Sequence, residues 1–208
     1  PSAMENCFFS LGRLIVASMI TLFGTSQVSA NAVSGNIDRL GILIGQAMGL
    51  AMVTVVGQCI GARDTQRAKY YIKKLLKWTY VLQGISNVLI VLFVGQLVDL
   101  YSTLAPETRE LAMRLSTLHA SFAIVFWPVS FVLPNALRAS NDVKFTMWVG
   151  IGSMLMFRIV GSWIMCVQLQ WGALGVWIAM ICDWLCRTGF FVPRVISGKW
   201  KEKYRPET

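Results

Sequence analysis

The sequence predicts an all-α polytopic membrane protein of six transmembrane helices with both ends of the chain cytoplasmic. Two observations carry that prediction. Six apolar windows, at roughly 4–23, 40–60, 78–98, 111–133, 145–167 and 174–196, each reach the ~20 residues that a helix needs to cross hydrocarbon. Thirteen of the 19 Lys and Arg lie in three places, 63–77, 138–144 and 194 onward, and the connections between them carry almost none. That asymmetry is the mark of basic loops retained on the cytoplasmic side. The balance of 55% hydrophobic to 14% charged residues points the same way.

The net charge of +9 would suit nucleic acid in a soluble chain. Here the basic residues flank apolar runs, where topological retention and anionic lipid headgroups account for them, so no nucleic-acid partner is expected. The five cysteines are odd in number and lie in or beside apolar runs, which argues for packing over disulfides or zinc. Pro1 opens the chain without a Met or a cleavable leader, so a longer protein is expected.

The first run holds Glu5 and Arg13 and gives way to a small polar stretch, Gly24 to Asn31, expected to be an extracytoplasmic connection. The second carries Gly41, Gly45, Gly49, Gly57 and Gly61 at four-residue steps, interrupted by Val53. Small residues at that spacing let helix backbones approach closely in lipid, as packing surface or as a hinge or cavity wall. Asp64 is placed to cap the third helix, whose first turns carry Arg67, Lys69, Lys73, Lys74 and Lys77. These cations oppose the helix dipole, so topology and lipid contact explain them.

The third run ends near Asp99, and Pro106 sits at a natural first position of the fourth helix, followed by Glu107 and Glu110. Within the fourth, Pro128 and Pro134 should kink or interrupt the helix. The turn Arg138-Ala139-Ser140-Asn141-Asp142-Val143-Lys144 echoes Arg63 to Arg67: a basic residue, a capping acid, another basic residue, then a helix. Arg158 falls in the middle of the fifth run, and Asp183 and Arg187 in the sixth. Trp78, Trp171 and Trp200 are expected at the interfaces. The tail from about 197 is basic.

Several stretches in order carry a family resemblance: Pro1-Ser2-Ala3-Met4-Glu5-Asn6, Leu11-Gly12-Arg13, Ala30-Asn31-Ala32 and Val56-Gly57-Gln58-Cys59-Ile60-Gly61-Ala62. Further on come Leu133-Pro134-Asn135-Ala136-Leu137-Arg138-Ala139, Phe157-Arg158-Ile159, Asp183-Trp184-Leu185-Cys186-Arg187 and Ser197-Gly198-Lys199-Trp200-Lys201. Together they resemble the second six-helix lobe of the multidrug and toxin extrusion (MATE) transporters. The resemblance implies a twelve-helix antiporter that exports amphipathic, often cationic compounds in exchange for H⁺ or Na⁺. Residues 1–208 would then be one lobe, its partners the lipid bilayer, the small-molecule substrate and an N-terminal lobe of the same protein. Some members carry an acidic pair at positions that here read Phe9-Ser10 and Phe126-Trp127, so the coupling ion is expected mainly in the N-terminal lobe. No other cofactor and no catalytic or metal site is expected.

Charges inside spans are costly and mark functional sites by default. The candidates for coupling or polar roles are Glu5, Arg13, Asp38, His119, Arg158, Asp183 and Arg187. Asp183 and Arg187 have the four-residue spacing of an ion pair, and Asp183 is also a possible partner for Arg158. Glu5 and Arg13 are eight residues apart, about 80° around the helix axis, which disfavours a direct pair and allows a shared polar face. His119 fits either a hydrogen-bonded packing residue or a proton relay. Phe122, Phe126, Trp127, Met154, Met156 and Phe157 supply adaptable apolar surface for a substrate cavity. No enzyme motif is present. The rival functions are a flippase for lipid-linked sugars, which a strongly cationic cavity would favour, and a non-transporting membrane subunit.

Overall fold

The structure, a computed structural model, describes the backbone of residues 2–200 and the side chains of residues 7–200. Among these, six helical segments follow one another: α1 Ser2–Thr21, α2 Thr25–Gly61, α3 Thr65–Asp99, α4 Pro106–Ala139, α5 Val143–Gln168 and α6 Gly172–Ile196. No strand occurs among the described residues. Five, α2 to α6, are long and apolar enough to span a membrane, and α1 is shorter, its apolar part running Cys7–Thr21.

The apolar windows of α4 and α6 are 61% and 56% buried, against 22–28% for α2, α3 and α5. Hence α4 and α6 form the centre, with the lipid-facing surface spread over the others. Leu43, Leu50, Leu92 and Trp148 are among its exposed apolar side chains. In lipid such exposure costs nothing, because hydrocarbon solvates Leu as well as a protein interior does.

The polar stretch 24–31 is not a loop. Only Leu22 to Gly24 connect the first two helices, and α2 starts at Thr25. Tertiary bonds override the loop-like composition: Gln27 Oε1 accepts from the Ala173 N–H at 3.0 Å, and Asn31 Oδ1 from Trp177 Nε1 at 2.9 Å. Those residues fasten α2 to the start of α6.

The two turns at the basic end share one backbone design. Arg63 (φ 57°) and Asn141 (φ 60°) take left-handed conformations, and the next N–H reaches back five residues, Asp64 to the Cys59 carbonyl and Asp142 to that of Leu137, each at 2.9 Å. Both are helix C-caps of the Schellman type. The echo ends at the acids. Asp64 caps α3 through Oδ1 and the Arg67 N–H at 2.9 Å. Asp142 makes no side-chain cap and is drawn instead to Arg194 at 2.8 and 3.2 Å, because a forked guanidinium binds a carboxylate through two charged bonds.

The prolines of α4 widen the helix without ending it. Residues Pro128–Val132 form a π-helical turn and Leu133–Ala139 resume the α-helix, a register change that accommodates missing N–H donors. A longer π-helical stretch fills α5 from Met154–Gly161 and Trp163–Gln168, for which the sequence carries no proline signal. Trp78 and Trp171 are about half exposed, as interface residues would be, but Trp200 is buried and its Nε1 donates to the Val195 carbonyl at 3.2 Å. A buried indole needs that acceptor, and the last turn of α6 supplies it.

The glycine stripe divides in two. Gly41, Gly45 and Gly49 are seats for side chains of α3 and α4: a Cβ at Gly41 would lie 2.6 Å from Asn87 Oδ1 and one at Gly49 2.7 Å from Asn135 Nδ2, while one at Gly45 would overlap Gln83 and the Trp127 ring. Asn87 Nδ2 donates to the Gly41 carbonyl at 3.1 Å. Gly57 and Gly61 face open space. Gly45→Ala should therefore destabilise the folded protein by about 1–3 kcal/mol, the usual cost of overpacking, whereas Gly57→Ala should be neutral or slightly stabilising. Thermal unfolding of the two variants side by side in detergent checks this, and equal midpoints would refute the seat assignment.

Candidate functional site

Two groups of charges lie inside the helical bundle. In the first, Asp38 on α2 and His119 on α4 approach to 2.8 Å between Oδ1 and Nε2, with side-chain exposures of 20% and 3%. His119 is held edge-on to Trp177 and Trp184 at ring separations of 5.4 and 4.9 Å. The imidazole thus has two aromatic walls and one carboxylate, and the contact joins two helices.

In the second, Asp183 and Arg187 occupy one face of α6, both essentially buried. Arg187 Nε donates to Asp183 Oδ1 at 3.0 Å, and Nη2 donates across to the Gly150 carbonyl of α5 at 2.9 Å. The guanidinium lies between Phe9 of α1 and Phe131 of α4, 4.8 and 5.3 Å from the ring centres. Charge, hydrogen bonds and cation–π contacts together offset desolvation.

The proposed Arg158–Asp183 pair is not formed. Arg158, half buried in the π-helical part of α5, makes no hydrogen bond or ion pair among the described residues, although Asp183 contributes to its electrostatic surroundings. Asp183 bonds Arg187 because that partner is one turn away on the same helix and needs no tertiary alignment. The side chain of Glu5 lies outside the described residues.

A cavity of about 310 Å³ opens beside this pair, in the half of the bundle nearer the basic end. Its wall comes from three helices: Phe9, Ser10 and Arg13 of α1, Ser130, Phe131, Pro134 and Arg138 of α4, and Arg187 of α6. Ser130 Oγ is committed to the Trp184 carbonyl at 2.9 Å, and Arg138 Nη1 donates to Asn135 Oδ1 at 2.8 Å. Arg13 is exposed on the rim and makes no hydrogen bond or ion pair among the described residues. The described lining residues include no carboxylate.

None of the six apolar side chains expected to line a substrate cavity is among the described lining of this one. Trp127 is buried against Phe131 at 5.1 Å and fills the Gly45 seat. Met154 is buried beside Gly12, Phe122 and Phe126 stack on each other at 6.2 Å away from the cavity, and Met156 is largely exposed. Phe157 is half buried in the π-helical stretch. Of the six, Met154, Met156 and Phe157 lie in a π-helical stretch, whose wider turn changes the face each residue presents. Arg13 and Arg187 are candidates the sequence names; the others had a signal, since Phe9 lies four residues before Arg13, and Phe131, Pro134 and Arg138 recur at three- and four-residue steps. Arg138 also belongs to the basic turn 138–144, so its place in the chain alone does not distinguish it from a topological charge.

The MatE family model matches residues 1–164. The chain belongs to the MatE family. Among curated relatives, the Bacillus subtilis (strain 168) uncharacterized transporter YisQ is 26% identical over 205 residues, covering 98% of this chain and 44% of that protein. The Thermotoga maritima probable multidrug resistance protein NorM is 24% identical over 203 residues, covering 98% and 43%. This MatE chain thus spans less than half the length of these relatives, as one lobe would.

Solved structures share the fold. A MOP superfamily transporter from Pyrococcus furiosus, described for the reverse polarity of its binding pocket, matches with a TM-score of 0.85 at 17% identity, over 94% of this chain and 42% of that one. A multidrug resistance MATE transporter in an outward-facing conformation matches with a TM-score of 0.83 at 19% identity, over 98% and 46%. An inward-facing one gives 0.75 at 17%, over 88% and 41%.

Removing one member of the buried pair leaves the other uncompensated, a loss of about 3–5 kcal/mol. Asp183→Asn should therefore destabilise more than the double variant Asp183→Leu, Arg187→Leu. Unfolding midpoints of both variants in detergent measure this, and additive losses would show that the two charges do not depend on each other.

Proposed function

We propose that this chain is one lobe of a secondary active exporter of small amphipathic molecules, including drugs, working by alternating access in the plasma membrane with its basic turns and both its ends cytoplasmic. The cavity carries this reading. A concave site lined by aromatic and charged side chains from three helices suits an amphipathic ligand, and it lies on a lobe that would rock against a second, N-terminal lobe around it. An upstream reading frame without six further apolar runs would remove the second lobe from the proposal.

For the coupling ion, Asp38 and His119 are the titratable pair that bridges two helices. A ligand shifts a conformational equilibrium only by its differential affinity for the two states. Protonation of His119 supplies such a difference, because it ties α2 to α4 through a charge pair in one state that a separation of the helices would break in the other. H⁺ is therefore the ion proposed for this lobe, with Na⁺ coupling confined to the second lobe. In proteoliposomes of the full-length protein, a pH gradient should drive accumulation of a fluorescent amphipath, and His119→Gln or Asp38→Asn should lower that rate about tenfold. Variants with the full pH-driven rate would exclude this pair, and drive by Na⁺ alone would reassign the ion.

The arginines also favour a second reading, a flippase for lipid-linked sugars, whose cargo carries phosphate. Gradient-dependent flux of a soluble amphipath distinguishes the exporter.

A further inference from the structure

We infer that one face of α3 is a docking surface for an anionic phospholipid, whose phosphate sits between Lys73 and Lys77 and whose acyl chains lie along Val81, Val88 and Leu92. This goes beyond the transporter reading and does not depend on what the lobe carries. Tyr70, Lys73, Lys77, Val81, Val88 and Leu92 recur at steps of three, four and seven residues, so they share one stripe of the helix. All six are exposed. The stripe turns from charged to apolar at Trp78, itself half exposed. From Trp78 to Val98 the helix rises about 30 Å, the thickness of the hydrocarbon core. Lys77 and Lys73 therefore fall in the headgroup layer at one end of this span, and Asp99, where α3 stops, at the other.

The pairing of the basic residues points to the same face. Arg67 is paired with Asp64 at 3.1 Å, and at the other basic turn Arg194 holds Asp142 through two bonds while Arg138 donates to Asn135. Lys73 and Lys77 have no hydrogen bond or ion pair among the described residues. Lys74, on the flank of the stripe, has its Nζ 5.5 Å from the centre of the Tyr70 ring, a cation–π distance, and adds a third positive charge at the same depth. Retention of basic residues on one side of a membrane accounts for lysines in this segment. It does not require two of them one turn apart directly above a lipid-exposed apolar stripe. An ammonium binds phosphate as a point charge, and a phospholipid alone brings phosphate and hydrocarbon to one surface together. Charge complementarity selects an anionic lipid over a zwitterionic one. A Cβ placed on Gly84 would meet nothing within 4 Å, so the stripe is notched between Val81 and Val88, where an acyl chain can approach the backbone.

The test is native mass spectrometry of the full-length protein in a neutral detergent, titrated with dioleoyl phosphatidylglycerol and, separately, with dioleoyl phosphatidylcholine. At least one phosphatidylglycerol should bind about tenfold more tightly than phosphatidylcholine. The double variant Lys73→Gln, Lys77→Gln should weaken that one about twentyfold, at about fivefold per charge. A second double variant, Lys144→Gln, Lys199→Gln, removes the same formal charge from exposed positions elsewhere at the basic end and should leave the affinity within about twofold. Replacing Lys73 and Lys77 by Arg should keep the binding, since the charge survives. All these side chains are exposed, so unfolding midpoints in lipid-free detergent should match across the set. Equal affinity for the two lipids, or the same loss in both Gln pairs, overturns the site in favour of diffuse attraction. Displacement of the phosphatidylglycerol by inorganic phosphate or by poly-glutamate at equal concentration also overturns it, reassigning the face to a soluble anion or an acidic protein segment. Failure of both to displace it supports the lipid.

Discussion

The interior of this lobe is organised around one buried guanidinium. Arg187 bonds Asp183 on its own helix, reaches the Gly150 carbonyl of α5, and is flanked by Phe9 of α1 and Phe131 of α4. Four of the six helices thus meet at a single charge that cannot be left unpaired in a low-dielectric interior. The requirement propagates outward. Gly150 must present its carbonyl, Phe131 must be carried on the widened turn of α4, and Asp183 is taken from any other partner. The cavity lies beside this charge, with α1, α4 and α6 as its walls.

Elsewhere, polar groups take the place that hydrophobic drive has in a soluble protein. Hydrocarbon offers little reason for apolar helices to associate, so close backbone contact and interhelical hydrogen bonds hold the bundle. Asn87 on the Gly41 carbonyl, Ser34 on the Ala112 carbonyl at 3.1 Å, and Gln27 and Asn31 on the start of α6 are such bonds. They tie α2 to α3, α4 and α6 in turn. The Asp38–His119 contact lies among them, on the same two helices as the Ser34 bond. It differs in joining a carboxylate to an imidazole, and for that reason it is the pair proposed above for coupling.

Trp184 relates the two charged groups. Its ring is edge-on to His119 at 4.9 Å and to Phe131 at 6.2 Å, and Phe131 covers Arg187. A change in the imidazole's charge is therefore separated from the cavity wall by two packed aromatic rings, which have little room to move independently in a close-packed core.

The sequence alone determined the class, the number of helical segments and most of their ends, because those depend on local quantities: apolar run length, the distribution of Lys and Arg, Asp64 before α3, Pro106 at the start of α4. The family was legible too, in motifs that survive as contiguous words. What the tertiary structure decided is which side chains meet. Residues 24–31 look like a loop until Gln27 and Asn31 are seen bonded to α6. Asp142 reads as a cap and serves Arg194. Trp127 fills the Gly45 seat and so does not line the cavity, while Met154, Met156 and Phe157 lie on a π-helical stretch that no proline marks. Arg138, indistinguishable by sequence from a topological charge, faces the cavity with Arg13 and Arg187 only because three helices that are distant in the chain bring them to one wall. Burial and pairing are properties of assembled surfaces, which no single stretch of this chain contains.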